Sequence, residues 1–168
     1  MKALTLWQPW ATLVALEFKR VETRCWPTKY RGPLAIHSAA KLPPKWLGAS
    51  RHQVEFRDEL ANCLNVRRDR DDRCGLHVDD AIRSMPYGAV LCIVNLVAVR
   101  ETGEVYDDLC TREHIFGNYE DGRYAWFLEM LEVFERPIPA KGNRMLWNWI
   151  SPSLSENDLE NHRPETSG

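Results

Sequence analysis

At 168 residues with 44% hydrophobic content, the chain is long enough for one domain with its own core and too short for two of ordinary size. A net charge of -2 and a pI near 6.2 exclude a generally basic nucleic-acid coat, so any polyanion must be held by a local patch. Five cysteines without a C-x-x-C pair argue against a disulfide framework or a zinc ribbon, and no run reaches the roughly 18 apolar residues of a membrane span; together these predict a soluble, cytoplasmic protein.

Lys2 to Leu6 reads as a short buried strand, broken by Trp7-Gln8-Pro9-Trp10. Pro9 suits the first turn of a helix running to about Leu16, with Trp10, Leu13 and Val14 on its apolar face. Gln8 stands just before that helix, where a side chain either caps the helix or meets a ligand beside free backbone N–H groups.

The next stretch is an electrostatic anomaly. Between Phe18 and Arg31 the cations Lys19, Arg20, Arg24, Lys29 and Arg31 face the single acid Glu22, net +4 in a chain of net -2. Val21 to Trp26 reads as a strand, in which Glu22 and Arg24, two apart, share a face; Thr23 points the other way, and Lys19 lies in the preceding turn. A carboxylate between two cations can orient Arg24 for bidentate recognition of a phosphate or a base edge. The alternative is a surface ion network of little energetic weight. Trp26 and Tyr30 flank the cluster as candidates for base stacking.

Leu34-Ala35-Ile36 reads as a buried strand ending at His37, which is either a proton-transfer or base-contacting group or a satisfied structural residue. From Leu42 to Met85 the pattern turns helical: a start at Pro43-Pro44, a helix through Val54, Phe56, Leu60, Ala61 and Leu64, and a short helix between His77 and Met85. The intervening RRDRDDR run sums to +1 and reads as a solvated segment. Ala89 to Val99 is the most apolar, β-branched run and is expected to form a central strand. Glu101 to Gly122 is acidic and irregular, with a short helix over Thr111 to Phe116 and then a loop, including Asn118 and Tyr119, of the kind that covers a site. Arg123 to Phe134 reads as a strand half buried on both faces, with Pro137, Pro139 and Gly142 breaking the chain before a last packed segment, Leu146 to Ile150. Residues 151–168 read as a polar tail.

No phosphate-loop, dinucleotide, α/β-hydrolase or zincin motif is present, and no spacing points to a metal or a cofactor. Several segments do carry a resemblance. W-Q-P-W-A-T-L, then K-x-x-E-x-R-x-W at Lys19, Glu22, Arg24 and Trp26, R-G-P-L-A-I-H at Arg31 to His37, F-G-N-Y-x-x-G-R-Y-A-W and L-W-N-W together resemble the ASCH domain family, over most of residues 1–41 and 86–150. The resemblance implies an α+β, PUA-like β-barrel with flanking helices, a helical insertion at about 42–85, and a cleft beside Lys19 associated with binding RNA or a nucleotide. Some relatives are amidohydrolases acting on N4-acetylcytidine, with a Lys, a Thr nucleophile three residues later and a distant Glu; others are described as ribonucleases. Lys19 matches the Lys, but Glu22 occupies the Thr position, and the distant Glu is open among Glu101, Glu104, Glu113 and Glu120.

Three readings follow. A binding module uses Gln8, Trp10, Trp26, Tyr30, His37, Asn118 and Tyr119 around the cationic cleft. A hydrolase uses Glu22 as general base with Lys19 or Arg24 stabilising negative charge. A protein-interaction adaptor uses the acidic stretch from Arg100 to Glu135.

Overall fold

The structure, a computed structural model, describes residues 1–42, 53–66 and 77–151. Within them lie β1 (Lys2–Leu6), α1 (Trp10–Ala15), β2 (Val21–Arg24), β3 (Gly32–Ser38), α2 (Gln53–Leu64), α3 (Val78–Arg83), β4 (Ala89–Glu101), α4 (Thr102–Val105), α5 (Thr111–Phe116), β5 (Tyr124–Pro139) and β6 (Leu146–Asn148). The expected helix start at Pro43-Pro44, the RRDRDDR run and the tail from Pro152 lie outside the described residues.

All six strands form one sheet in the order β2-β5-β4-β3-β1-β6. The β1–β3 pair is parallel and the other four pairs are antiparallel. Alternation along the strands separates two apolar layers. Leu4 and Leu6 of β1, Leu34 and Ile36 of β3, Val94 and Leu96 of β4 and Trp126 and Leu128 of β5 meet Ala11 and Val14 of α1 on one face. The intervening Ala3, Ala35 and Val90 pack on the other face with Trp149. A third cluster joins Leu13 of α1 to Leu60 and Ala61 of α2, Val78 of α3 and Phe116 of α5, so the helical segment is bound to the sheet through α1.

The sheet curls into a half-barrel. Arg24, on the edge strand β2, donates from Nη2 to the carbonyl of Thr5 on β1, next to the opposite edge, at 3.1 Å. A flat six-stranded sheet would hold those strands four spacings of about 4.8 Å apart, out of hydrogen-bonding reach.

Two expectations need correction. β5 does not stop near Phe134; it runs through Pro137 to Pro139, with Ile138 opposite Val90 and Pro139 opposite Ala89. β2 covers only Tyr124–Phe127 of β5, so beyond that point one side of the strand is an edge, where a residue lacking an N–H is tolerated. For the same reason β5 is not half buried on both faces throughout: Leu131 and Val133 are 55% and 51% exposed. The acidic stretch after Glu101 is also more regular than its composition suggests, holding α4 and a 3-10 turn at Tyr106–Asp108 before α5.

Candidate functional site

The turn between α1 and β2 places Lys19. Glu17 adopts a left-handed conformation (φ 58°), and the N–H groups of Phe18 and Lys19 both donate to the Leu13 carbonyl, at 2.9 and 3.1 Å. The chain therefore reverses tightly, and Lys19 turns inward. Its side chain is 1% exposed, and Nζ donates to the Val21 carbonyl. Nζ lies 3.6 Å from Glu113 Oε2 and 4.0 Å from Glu22 Oε2. A buried ammonium so placed is compensated by two carboxylates and a carbonyl.

Glu113 comes from α5, more than ninety residues downstream, and is buried. Its Oε1 accepts from the backbone N–H of Arg20 at 2.6 Å and of Val21 at 3.2 Å, pinning the start of β2. Of the four acids left open by sequence, Glu113 is the one that forms an ion pair with Lys19 among the described residues. The signal was present: Glu113 and Phe116 are three apart on a short helix, so the carboxylate shares the buried face with the phenylalanine.

Glu22 and Arg24 share a face of β2, as the alternation requires, with Arg24 Nε 3.3 Å from Glu22 Oε1. On the opposite face the Thr23 hydroxyl accepts from the Asn118 N–H at 3.1 Å. Arg123 ties the same loop down, donating from Nε to the Asn118 carbonyl and from Nη2 to the Thr23 carbonyl. Asn118 itself forms a local turn, its Oδ1 accepting from the Glu120 N–H at 3.0 Å.

This loop delivers Tyr119 to the cluster. Burial, then the charges of Glu113 and Glu22, raise the phenol pKa above its usual value, so the group stays neutral. Gly117 makes room for the ring: a Cβ there would fall 2.9 Å from Tyr119 Cζ and closer still to Cε2. Arg24 Nε and Glu113 Oε2 are shielded from solvent and face their charged partners, Glu22 Oε1 at 3.3 Å and Lys19 Nζ at 3.6 Å, outside hydrogen-bond geometry.

The other candidates divide. Trp26 is half-buried and meets Trp126 edge to face, centroids 4.7 Å apart. Tyr30 donates from its hydroxyl to the Pro33 carbonyl, and burial raises its pKa. Gln8 is fully buried and spent on the fold: Oε1 accepts from the Thr12 N–H at 3.1 Å and Nε2 donates to the Pro86 carbonyl at 2.7 Å. It caps α1 and offers no free group. Trp10 likewise packs on Phe56 and donates from Nε1 to the Phe116 carbonyl at 2.8 Å. His37 is buried on β3 under the loop after β5, its Nε2 donating to the Ala140 carbonyl at 3.0 Å and its ring edge-on to Trp147. Burial lowers its pKa, opposed in part by that hydrogen bond. Neither Gln8 nor His37 has a hydrogen bond or ion pair to Lys19, Glu22 or Arg24 among the described residues.

Among the described residues no group of three or more His, Cys, Asp or Glu side chains is placed to hold a metal ion, and no helix is long and apolar enough to cross a membrane. Human activating signal cointegrator 1 is 26% identical to this chain over 147 residues, which are 86% of this chain and 21% of that protein. The chain thus spans a small part of the length of that curated relative. Residues 4–138, from β1 almost to the end of β5 and including Lys19, Glu22, Arg24 and Glu113, match the ASCH domain, and the chain belongs to the ASCH domain family.

Proposed function

We propose that residues 1–150 act as one ASCH unit that binds RNA or a nucleotide at the Arg24 end of the cluster, with Lys19, Glu22 and Glu113 as its buried electrostatic base. The ASCH domain is a PUA-like domain associated with RNA binding, which supports the ligand class. The observation that carries the site is Arg24. Its guanidinium is held by the Thr5 carbonyl on one side and by Glu22, 3.3 Å from Nε, on the other, while its side chain stays 24% exposed. A guanidinium fixed in this way has lost most of its rotamer freedom before binding, so little more is lost when it meets a phosphate or a base edge. Trp26 and Tyr30, half-buried nearby in sequence, supply rings for stacking.

The test is single-stranded RNA binding as a function of salt. Three or four phosphate contacts give a log–log slope of roughly -2 to -3 on a single strand. Arg24→Ala is expected to weaken binding and flatten that slope while leaving the fold intact. A flat slope in the unaltered protein removes the RNA backbone from the ligand.

A second reading, hydrolysis of an N4-acetylcytidine-type amide, gains support from the 3.6 Å approach of Glu113 to Lys19, since the relatives' pattern pairs a Lys with a distant Glu. With Glu22 where those enzymes place a threonine, Glu22 serves as general base toward water, and Lys19 stabilises the developing oxyanion. Turnover of N4-acetylcytidine that disappears in Glu22→Gln supports this reading; binding without turnover leaves the domain a recognition module.

A further inference from the structure

The loop that follows β5, Ala140-Lys141-Gly142-Asn143-Arg144-Met145, carries two cations and no acid. Both Lys141 and Arg144 are exposed, and neither forms an ion pair with a described residue. The loop is nonetheless firmly seated. The Asn143 carbonyl accepts from the Thr5 hydroxyl at 2.9 Å, and the Ala140 carbonyl accepts from His37 Nε2. The Arg144 N–H donates to Asn143 Oδ1 at 2.8 Å, and Gly142 packs close against the His37 ring. A Cβ on Gly142 would fall 2.6 Å from His37 Nδ1, closer still to Cε1, and 3.0 Å from Thr5 Oγ1, so only glycine permits this approach.

Thr5 joins the loop to the Arg24 site. Its carbonyl accepts Arg24 Nη2, while its hydroxyl donates to the loop and accepts Trp147 Nε1 at 3.1 Å. The loop that carries Lys141 and Arg144 and the Arg24 guanidinium are therefore joined through a single threonine, whose hydroxyl also meets the half-buried Trp147.

We propose that Lys141 and Arg144 form a phosphate-binding subsite that holds the backbone of a nucleic-acid strand whose neighbouring nucleotide occupies the Arg24 site. The proposal rests on the nucleic-acid reading of that site and names what extends it: a polynucleotide strand, rather than an isolated nucleoside. Unpaired cations on a rigid loop hold successive phosphates without large ordering losses, and their contribution is electrostatic and independent of base identity.

The experiment measures binding of a twelve-nucleotide oligouridylate across a salt series in the unaltered protein, in Lys141→Ala/Arg144→Ala, and in Arg83→Ala/Arg100→Ala. The last variant removes two cations already paired with Asp80 and Glu104. Loss of two contacts flattens the slope by about 1.4 and weakens binding on the order of 20-fold at 0.1 M salt in the loop variant only. The loop side chains are exposed, so its melting temperature stays unchanged. Lys141→Glu/Arg144→Glu weakens binding further. If the unaltered protein binds the oligonucleotide and the loop variant keeps its slope, or if both double-alanine variants lose it equally, the subsite is overturned and the Arg24 reading survives. If the unaltered protein does not bind at all, the RNA-strand reading of the Arg24 site fails and the subsite fails with it.

Discussion

Two cationic segments of this chain end in different electrostatic circumstances. Between Phe18 and Arg31 the sequence holds five cations against one acid, yet Lys19, Arg20 and Arg24 are ion-paired within the fold, and only Lys29 and Arg31 have no ion pair among the described residues. Lys19 is buried against Glu113 and Glu22, Arg20 pairs with Glu17, and Arg31 folds back onto the carbonyls of Thr28 and Tyr30. The loop at Lys141–Arg144 carries only two cations, both exposed and without an ion pair among the described residues. Charge density along a chain is therefore a poor measure of charge presented at a surface. What decides is whether the fold brings a distant carboxylate to the cation, as α5 brings Glu113 to Lys19.

The comparison can be broken at its buried side first. Glu113→Ala leaves the buried Lys19 ammonium with only the longer Glu22 contact and the Val21 carbonyl, and leaves two backbone N–H groups without their acceptor, and is expected to destabilise the protein by about 3–5 kcal/mol. Lys19→Met, read by the same urea titration, should cost distinctly less, because the Glu113 carboxylate keeps its bonds from Arg20 and Val21. Equal costs would mean that the ion pair, not the pinning of β2, is what Glu113 supplies.

On the exposed side the seating of the loop is the quantity to perturb. Gly142→Ala pushes a methyl into the His37 ring and is expected to cost about 1–3 kcal/mol, visible as a lowered melting temperature. The loop carries the cations of the proposed subsite, so the variant should also weaken oligonucleotide binding without any change of charge.

The smallest effect concerns pH. Burial holds the His37 pKa below its unfolded value of 6.5, so the unfolded chain takes up a proton more readily than the folded one. The stability tied to neutral His37 is fully present above about pH 6.5 and declines as pH falls through the lowered folded value. A pH series of urea midpoints should show this decline in the unaltered protein. His37→Gln should have a lower midpoint at neutral pH and a flatter profile below it.

Local pattern made much of the molecule legible. The alternating small and large residues of Lys2–Leu6 and Gly32–Ser38, the apolar run at Ala89 and the helix at Thr111–Phe116 all read correctly, because each is set by the side-chain period of its own segment. The shared face of Glu22 and Arg24 follows from the same rule. β5 was misread because its tolerance of Pro137 and Pro139 depends on β2 being only four residues long, a property of the neighbour and not of the strand. Gln8 looked available because nothing local shows that Pro86 will lie against it.

The sequence by itself placed the candidate residues on their local elements: the K-x-x-E-x-R segment at the start of β2, the rings of Trp26 and Tyr30 after it, and Tyr119 in the loop before β5. Only the tertiary structure decided how those charges are shared. It brought Glu113 to Lys19, turned Lys19 inward, curled the sheet until Arg24 reached Thr5, and set the Lys141–Arg144 loop on the same threonine. The reason is physical: backbone period acts over a few residues and is written locally, whereas Coulomb and hydrogen-bond partners act through space and are assigned only when the sheet closes.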